Sequence, residues 1–138
     1  MEFLKILCID DSATMRAVVK SCFKDDQIKM LWAEDGLEGL AQTWAERPNV
    51  ILVDMLMPKI SGTRLCEIIK SNKELSSIPL YVLTSRGGPI DRESIALSGA
   101  DGYFQKPLNR AELRDKIFAG DYVKFKGKIS YEYLSYSL

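Results

Sequence analysis

Histidine is missing from all 138 residues of this chain. That absence excludes Ser-His-Asp and Cys-His triads, histidine metal sites and a phosphohistidine carried by the chain itself. Long apolar runs are missing too. None exceeds four residues, Val50–Val53 being one such run, whereas a membrane-spanning helix needs ~20. Met1-Glu2-Phe3-Leu4-Lys5 does not open a secretory signal, which needs a basic start and a longer apolar stretch. Net charge is also missing, because 19 basic residues cancel 19 acidic ones. No global field therefore argues for nucleic acid or for an anionic membrane surface. Cysteine is scarce: Cys8, Cys22 and Cys66 are odd in number and widely spaced. They read as buried thiols in a reducing compartment, and the expected location is cytoplasmic.

What is present is the composition of an ordinary globular domain, 46% apolar and 28% charged. Strand-like and helix-like segments alternate along it. Apolar, β-branched runs lie at residues 3–9, 29–33, 50–53, 80–83 and 102–105. Helical spacing follows each run. Ser12 caps the first helix and Asn109 the fifth. Leu37, Leu40, Ala41 and Trp44 are expected to form the buried stripe of the second helix. Five such units with short loops predict an α/β fold with one parallel sheet and helices on both faces. In open sheets of this kind the chemistry sits beyond the carboxyl ends of the strands.

The residues at those ends are polar. Asp10 and Asp11 follow the first strand, Asp54 the third, Thr84 and Ser85 the fourth, and Lys106 the fifth. Singly, each has a plainer reading: the acids as helix caps or turn formers, Thr84 as a strand-end hydroxyl, Lys106 as a solvated lysine. Together they bring three carboxylates, a hydroxyl and an ammonium to one rim. Three close carboxylates repel one another, and a hard divalent cation resolves that repulsion. Mg²⁺ is the expected ion. Asp11 and Asp54 are its candidate direct ligands, Asp10 acts through a water, and the Leu56 backbone carbonyl completes the protein's share. Asp54 is then the candidate nucleophile for a phosphoryl group, with Thr84 and Lys106 holding its oxygens.

These motifs resemble the receiver domain of two-component response regulators, in its single-domain, CheY-like form. The resemblance is carried by Ile9-Asp10-Asp11-Ser12, Val53-Asp54-Met55-Leu56-Met57-Pro58-Lys59-Ile60-Ser61-Gly62, Leu83-Thr84-Ser85 and Gln105-Lys106-Pro107. It spans residues 3 to about 119. It implies a flavodoxin-like, doubly wound five-stranded sheet in the order 2-1-3-4-5. It also implies a phosphorylation-controlled interaction switch rather than an enzyme with a separate substrate. A histidine kinase or phosphotransfer protein would phosphorylate Asp54 with Mg²⁺. Thr84 and Tyr103 would act as switch residues, remodelling the face of the fourth helix, fifth strand and fifth helix for a downstream protein. Leu56 and Arg86 stand where the family tunes phosphate lifetime. No direct nucleic-acid contact is expected.

Residues 1–120 are read as the receiver and 121–138 as a C-terminal extension. The extension is tyrosine-rich and too short for an output domain. Tyr122–Phe125 and Ile129–Leu134 are candidates for a small hairpin, and a docking strand or plain tail is the other reading. One competing function is a receiver-like scaffold that takes no phosphate and binds its partner constitutively. A flavoprotein on the same fold is disfavoured, because Asp10 and Asp11 repel a flavin phosphate. A haloacid dehalogenase-type phosphatase needs an acid where Leu56 stands.

Overall fold

In the computed structural model, residues 4–25, 27–85 and 88–124 are described, the last six of them (119–124) by backbone alone. Five strands alternate with five helices: β1 Leu4–Ile9, α1 Ala13–Cys22, β2 Ile28–Ala33, α2 Gly36–Glu46, β3 Val50–Asp54, α3 Gly62–Lys70, β4 Leu80–Thr84, α4 Pro89–Leu97, β5 Gly102–Gln105 and α5 Arg110–Lys124. All strand pairs are parallel, in the order β2-β1-β3-β4-β5. This is the flavodoxin-like order expected from the sequence. Among the described residues no helix is long and apolar enough to cross a membrane.

Strand periodicity sorts the core into two layers. Leu4, Ile6 and Cys8 of β1 point to one side of the sheet, where Val19, Phe23, Leu113 and Phe118 from α1 and α5 cover them. Leu7 and Ile9 point to the other side, against Leu65, Ile69 and Ile95 from α3 and α4. Both faces of β3 and β4 are covered, so all residues of both strands are buried. Arg114 fastens α5 to the end of α1, donating from Nη1 to the Cys22 carbonyl at 2.9 Å and to Asp25 at 2.7 Å.

Helix starts follow the capping residues. Ser12 Oγ accepts from the Met15 amide at 3.2 Å, Asp35 from the Glu38 amide at 2.8 Å, and Asn109 from the Glu112 amide at 3.0 Å. The expected caps at Ser12 and Asn109 are thus in place.

The expectation for α2 is corrected. Its buried residues are Gly36, Gly39 and Thr43, whereas Leu37 and Trp44 are 56% and 40% exposed and Ala41 is exposed as well. The cause is close approach. A Cβ on Gly39 would lie 2.5 Å from Ile9 Cδ1, so the helix turns Gly36 and Gly39 to the sheet, keeps the expected Leu40 packed against the core, and turns Leu37, Ala41 and Trp44 outward.

A second correction concerns the C-terminus. α5 continues through Lys124, so Tyr122–Lys124 is helical rather than the first arm of a hairpin. A single Gly120 costs a helix about 1 kcal/mol and does not stop it. Phe125, Ile129–Leu134 and Arg86 lie outside the described residues.

Gly62 sets the most severe steric limit near the strand ends. Its amide donates to the Met55 carbonyl at 2.9 Å, and a Cβ there would lie 2.1 Å from the Asp54 carbonyl oxygen. Gly62→Ala is expected to cost ~3 kcal/mol, at the upper end for overpacking, because the obstacle is backbone. Urea unfolding of both proteins measures this.

Candidate phosphoacceptor site

Register brings the polar residues to one level. Ile9 pairs with Val53, Asp54 with Leu83, and Thr84 with Gln105. The residues that close or directly follow β1, β3, β4 and β5 therefore meet at one rim of the sheet. Asp10 is held there by its amide, which donates to the Ala33 carbonyl at 3.0 Å. Lys106 is held by its amide, which donates to the Thr84 carbonyl at 2.7 Å.

Asp10, Asp11 and Asp54 each present a carboxylate oxygen within 4.8 Å of the others. Their exposures differ. Asp10 is wholly buried, Asp54 is buried at the strand end, and Asp11 is exposed. Lys106 Nζ donates to Asp54 Oδ1 at 3.2 Å and lies 3.9 Å from Asp10 Oδ2. Thr84 is buried at the end of β4.

Asp10 carries the site's main electrostatic cost. Its Oδ1 accepts from the Ser12 amide at 2.8 Å, but its buried Oδ2 has no hydrogen-bond partner. Burial holds its carboxyl above the ordinary 3.8, and the charges of Asp54 and Asp11 add to that. The Ser12 amide and the Lys106 ammonium oppose the shift without cancelling it. An oxygen-seeking cation fits this set: three carboxylates converge, one of them with a buried, unpaired oxygen.

The same field reaches Cys8. Burial, reinforced by Asp10 and Asp54, pushes its thiol up to about 12. Cys8 is thus an inert thiol beneath the site, as Cys22 and Cys66 are elsewhere in the core.

The other expected residues surround this cluster. Leu56 is 56% exposed, just beyond Asp54. Tyr103 is half-buried on β5 and packs against the core layer that contains Ile95 of α4. Arg86 lies outside the described residues.

Sequence reading missed the end of β2. Glu34 and Asp35 follow that strand. Asp35 caps α2 and meets Lys59 at 3.4 Å, while Glu34 meets Arg16 Nη1 at 3.6 Å. Arg16 Nη1 also donates to the Asp10 carbonyl at 3.5 Å, so α1 braces the acidic loop. The signal was available in Glu34-Asp35, a fifth polar strand end.

Comparison with known proteins agrees with this geometry. Protein PilG of Pseudomonas aeruginosa is 35% identical over 116 residues, covering 84% of this chain and 86% of PilG. Other curated relatives are longer, and the chain spans half or less of their length. The Vibrio cholerae chemotaxis protein CheY4 superposes with a TM-score of 0.78 at 27% identity, covering 85% of this chain and 98% of CheY4. The receiver domain of the P. aeruginosa sensor histidine kinase PA1611 was solved with a magnesium ion in its active-site cleft. It shares the fold, with a TM-score of 0.77 at 23% identity over 85% of this chain and 96% of that one. The family model described as the response regulator receiver domain matches residues 6–118, so the chain belongs to the receiver domain family of two-component signalling.

Proposed function

We propose that this receiver is a phosphorylation-controlled interaction switch whose phosphoacceptor is Asp54. The carrying observation is the setting of Asp54. It closes a buried strand, shares a three-carboxylate cluster with Asp10 and Asp11, and is contacted by Lys106 at 3.2 Å. A scaffold without chemistry has no use for a wholly buried acid with an oxygen that no hydrogen bond satisfies.

Asp10, Asp11 and Asp54, with the Leu56 carbonyl, would hold Mg²⁺. That ion would supply positive charge to offset the carboxylates and the phosphoryl group. The histidine needed as donor comes from a partner kinase or phosphotransfer protein, since this chain has none. An Asp54 carboxylate oxygen attacks phosphorus, an O–P bond forms, and the P–N bond to the donor imidazole breaks with its electron pair returning to nitrogen. Lys106 shifts from Asp54 to a phosphoryl oxygen, and the Thr84 hydroxyl donates to another. Leu56, just beyond Asp54, limits access of water to the acyl phosphate, and Arg86 is proposed to tune its lifetime.

The output is contact with a downstream protein at α4, β5 and α5. Ile90 and Leu97 of α4 are 81% and 79% exposed, which suits a docking face. Tyr103, on β5 of this face, packs against the core layer that contains Ile95 and serves as the switch aromatic. Residues 121–138 are read as an extension of the receiver, its first four residues continuing α5.

Three outcomes test this reading. Incubation with a small phosphodonor and Mg²⁺ is expected to add one phosphoryl group to the parent and none to Asp54→Ala, read by intact mass. No mass gain in the folded, Mg²⁺-loaded parent would support the constitutive scaffold instead.

Leu56→Asn is expected to shorten the phosphate lifetime several-fold, read by the decay of phosphorylated protein. An unchanged lifetime removes the shielding role.

The third outcome concerns Asp10. Because its folded value is raised, the stability it lends is complete below about 3.8 and is lost as pH rises through the raised value. At pH 7 in chelator, Asp10→Asn is therefore expected to be more stable than the parent. That advantage should vanish at low pH. Mg²⁺ should raise the melting temperature of the parent much more than that of the variant.

A further inference from the structure

The outward face of α2 carries an ordered stripe. Leu37, Ala41 and Trp44 recur at spacings of four and three, the seam spacing of paired helices. All three are exposed, while Gly36, Gly39 and Thr43 occupy the opposite, sheet-facing side. Glu34 lies just before this stripe and Arg47 just after it, with side chains 72% and 47% exposed. Read along the helix, the order is acid, apolar, apolar, base. Read backwards it is base, apolar, apolar, acid, so the stripe is complementary to its own reverse.

We infer that α2 is a self-association surface on which two copies of this chain pair their helices antiparallel. The two-fold axis passes between Leu40 and Ala41, where the small Ala41 lets the helices approach. Leu37 then packs on the second copy's Trp44, and Glu34 meets the second copy's Arg47. Each contact occurs twice, as an isologous interface requires.

Trp44 is prepared for this role. The Arg47 guanidinium lies 4.7 Å from its ring centroid and its Nε donates to the Trp44 carbonyl at 3.1 Å, so ring and cation are presented as one unit. The intrachain partners of the end charges do not compete strongly. Glu34 sits 3.6 Å from Arg16, and Arg47 sits 3.0 Å from Glu74. The Arg47–Glu74 pair is exposed on both sides and so is weak, and the Arg16–Glu34 pair is long, with half-buried Arg16 held as well by the Asp10 carbonyl.

Two such short helices bury less than the ~1,200 Å² of a stable complex. The dimer is therefore reversible and concentration-dependent. It leaves the exposed apolar residues of α4 free, and it does not depend on phosphorylation of Asp54.

Sedimentation of the full chain from low micromolar to millimolar concentration tests the proposal, with circular dichroism confirming that each variant is folded. The parent is expected to shift from monomer to dimer. Ala41→Glu, which sets two carboxylates near the axis, is expected to weaken dimerisation by at least about tenfold. Glu34→Arg and Arg47→Glu should each weaken it, and the double swap Glu34→Arg/Arg47→Glu should restore it. That restoration is unique to pairing between copies, because the intrachain partners Arg16 and Glu74 remain unchanged in the double variant. A parent that stays monomeric throughout overturns the proposal. A dimer that survives Ala41→Glu places the interface elsewhere and overturns it too. Failure of the double swap to restore dimerisation overturns the antiparallel register.

Discussion

Carboxylate crowding at the strand ends is the constraint on which the rest of this structure depends. Parallel β1 and β3 lie side by side and finish at the same level, so Asp10 and Asp54 cannot avoid each other. Burial of Asp10 leaves it no water to relieve that repulsion, while Asp11 at the rim is exposed. Lys106, delivered from β5 across the top of β4, supplies one positive charge against three negative ones. The site is therefore under-neutralised by construction. Burial raises both the Asp10 carboxyl and the Cys8 thiol, and the neighbouring carboxylates add to each.

Much of this was legible in the residues. Short apolar runs bounded by polar residues marked the strands, because strands covered on both faces have no alternation to hide them. The site was legible for a related reason. An aspartate, threonine or lysine directly after such a run stands out, and sheet register then converts position in sequence into proximity in space. Ser12 and Asn109 were readable as caps because capping is a local hydrogen bond, independent of tertiary context.

The second helix was misread, and the reason is physical. Periodicity counts apolar side chains and treats glycine as silent. In α2 the packing surface is made by what Gly36 and Gly39 lack, since only a side-chain-free face fits against Ile60 and Ile9. Apolar Leu37 and Trp44 then fall on the solvent side by rotation of the helix, not by any property of their own. Glu34 and Asp35 were passed over for a different reason. β2 is an edge strand of mixed burial, so its carboxyl end lacked the contrast that marked the others.

The layering of the core also constrains how a charge change at Asp54 could travel. Asp54 ends β3, and its neighbour in register is Leu83 on β4, one residue before Thr84. Tyr103 pairs with Val82 on the far side of β4 and shares a core layer with Ile95 of α4. On the proposed reading, β4 is thus the one strand between the phosphoacceptor and the α4 face. Its residues are buried and tightly packed, so it transmits displacement instead of absorbing it. The route toward α2 is different in kind. There the site reaches the helix through Lys59 and Asp35, an exposed pair that water screens, and through Ile9, which precedes Asp10 and packs on Gly39. On the proposed reading β4 carries the switch to α4, and the two exposed apolar faces would serve different partners.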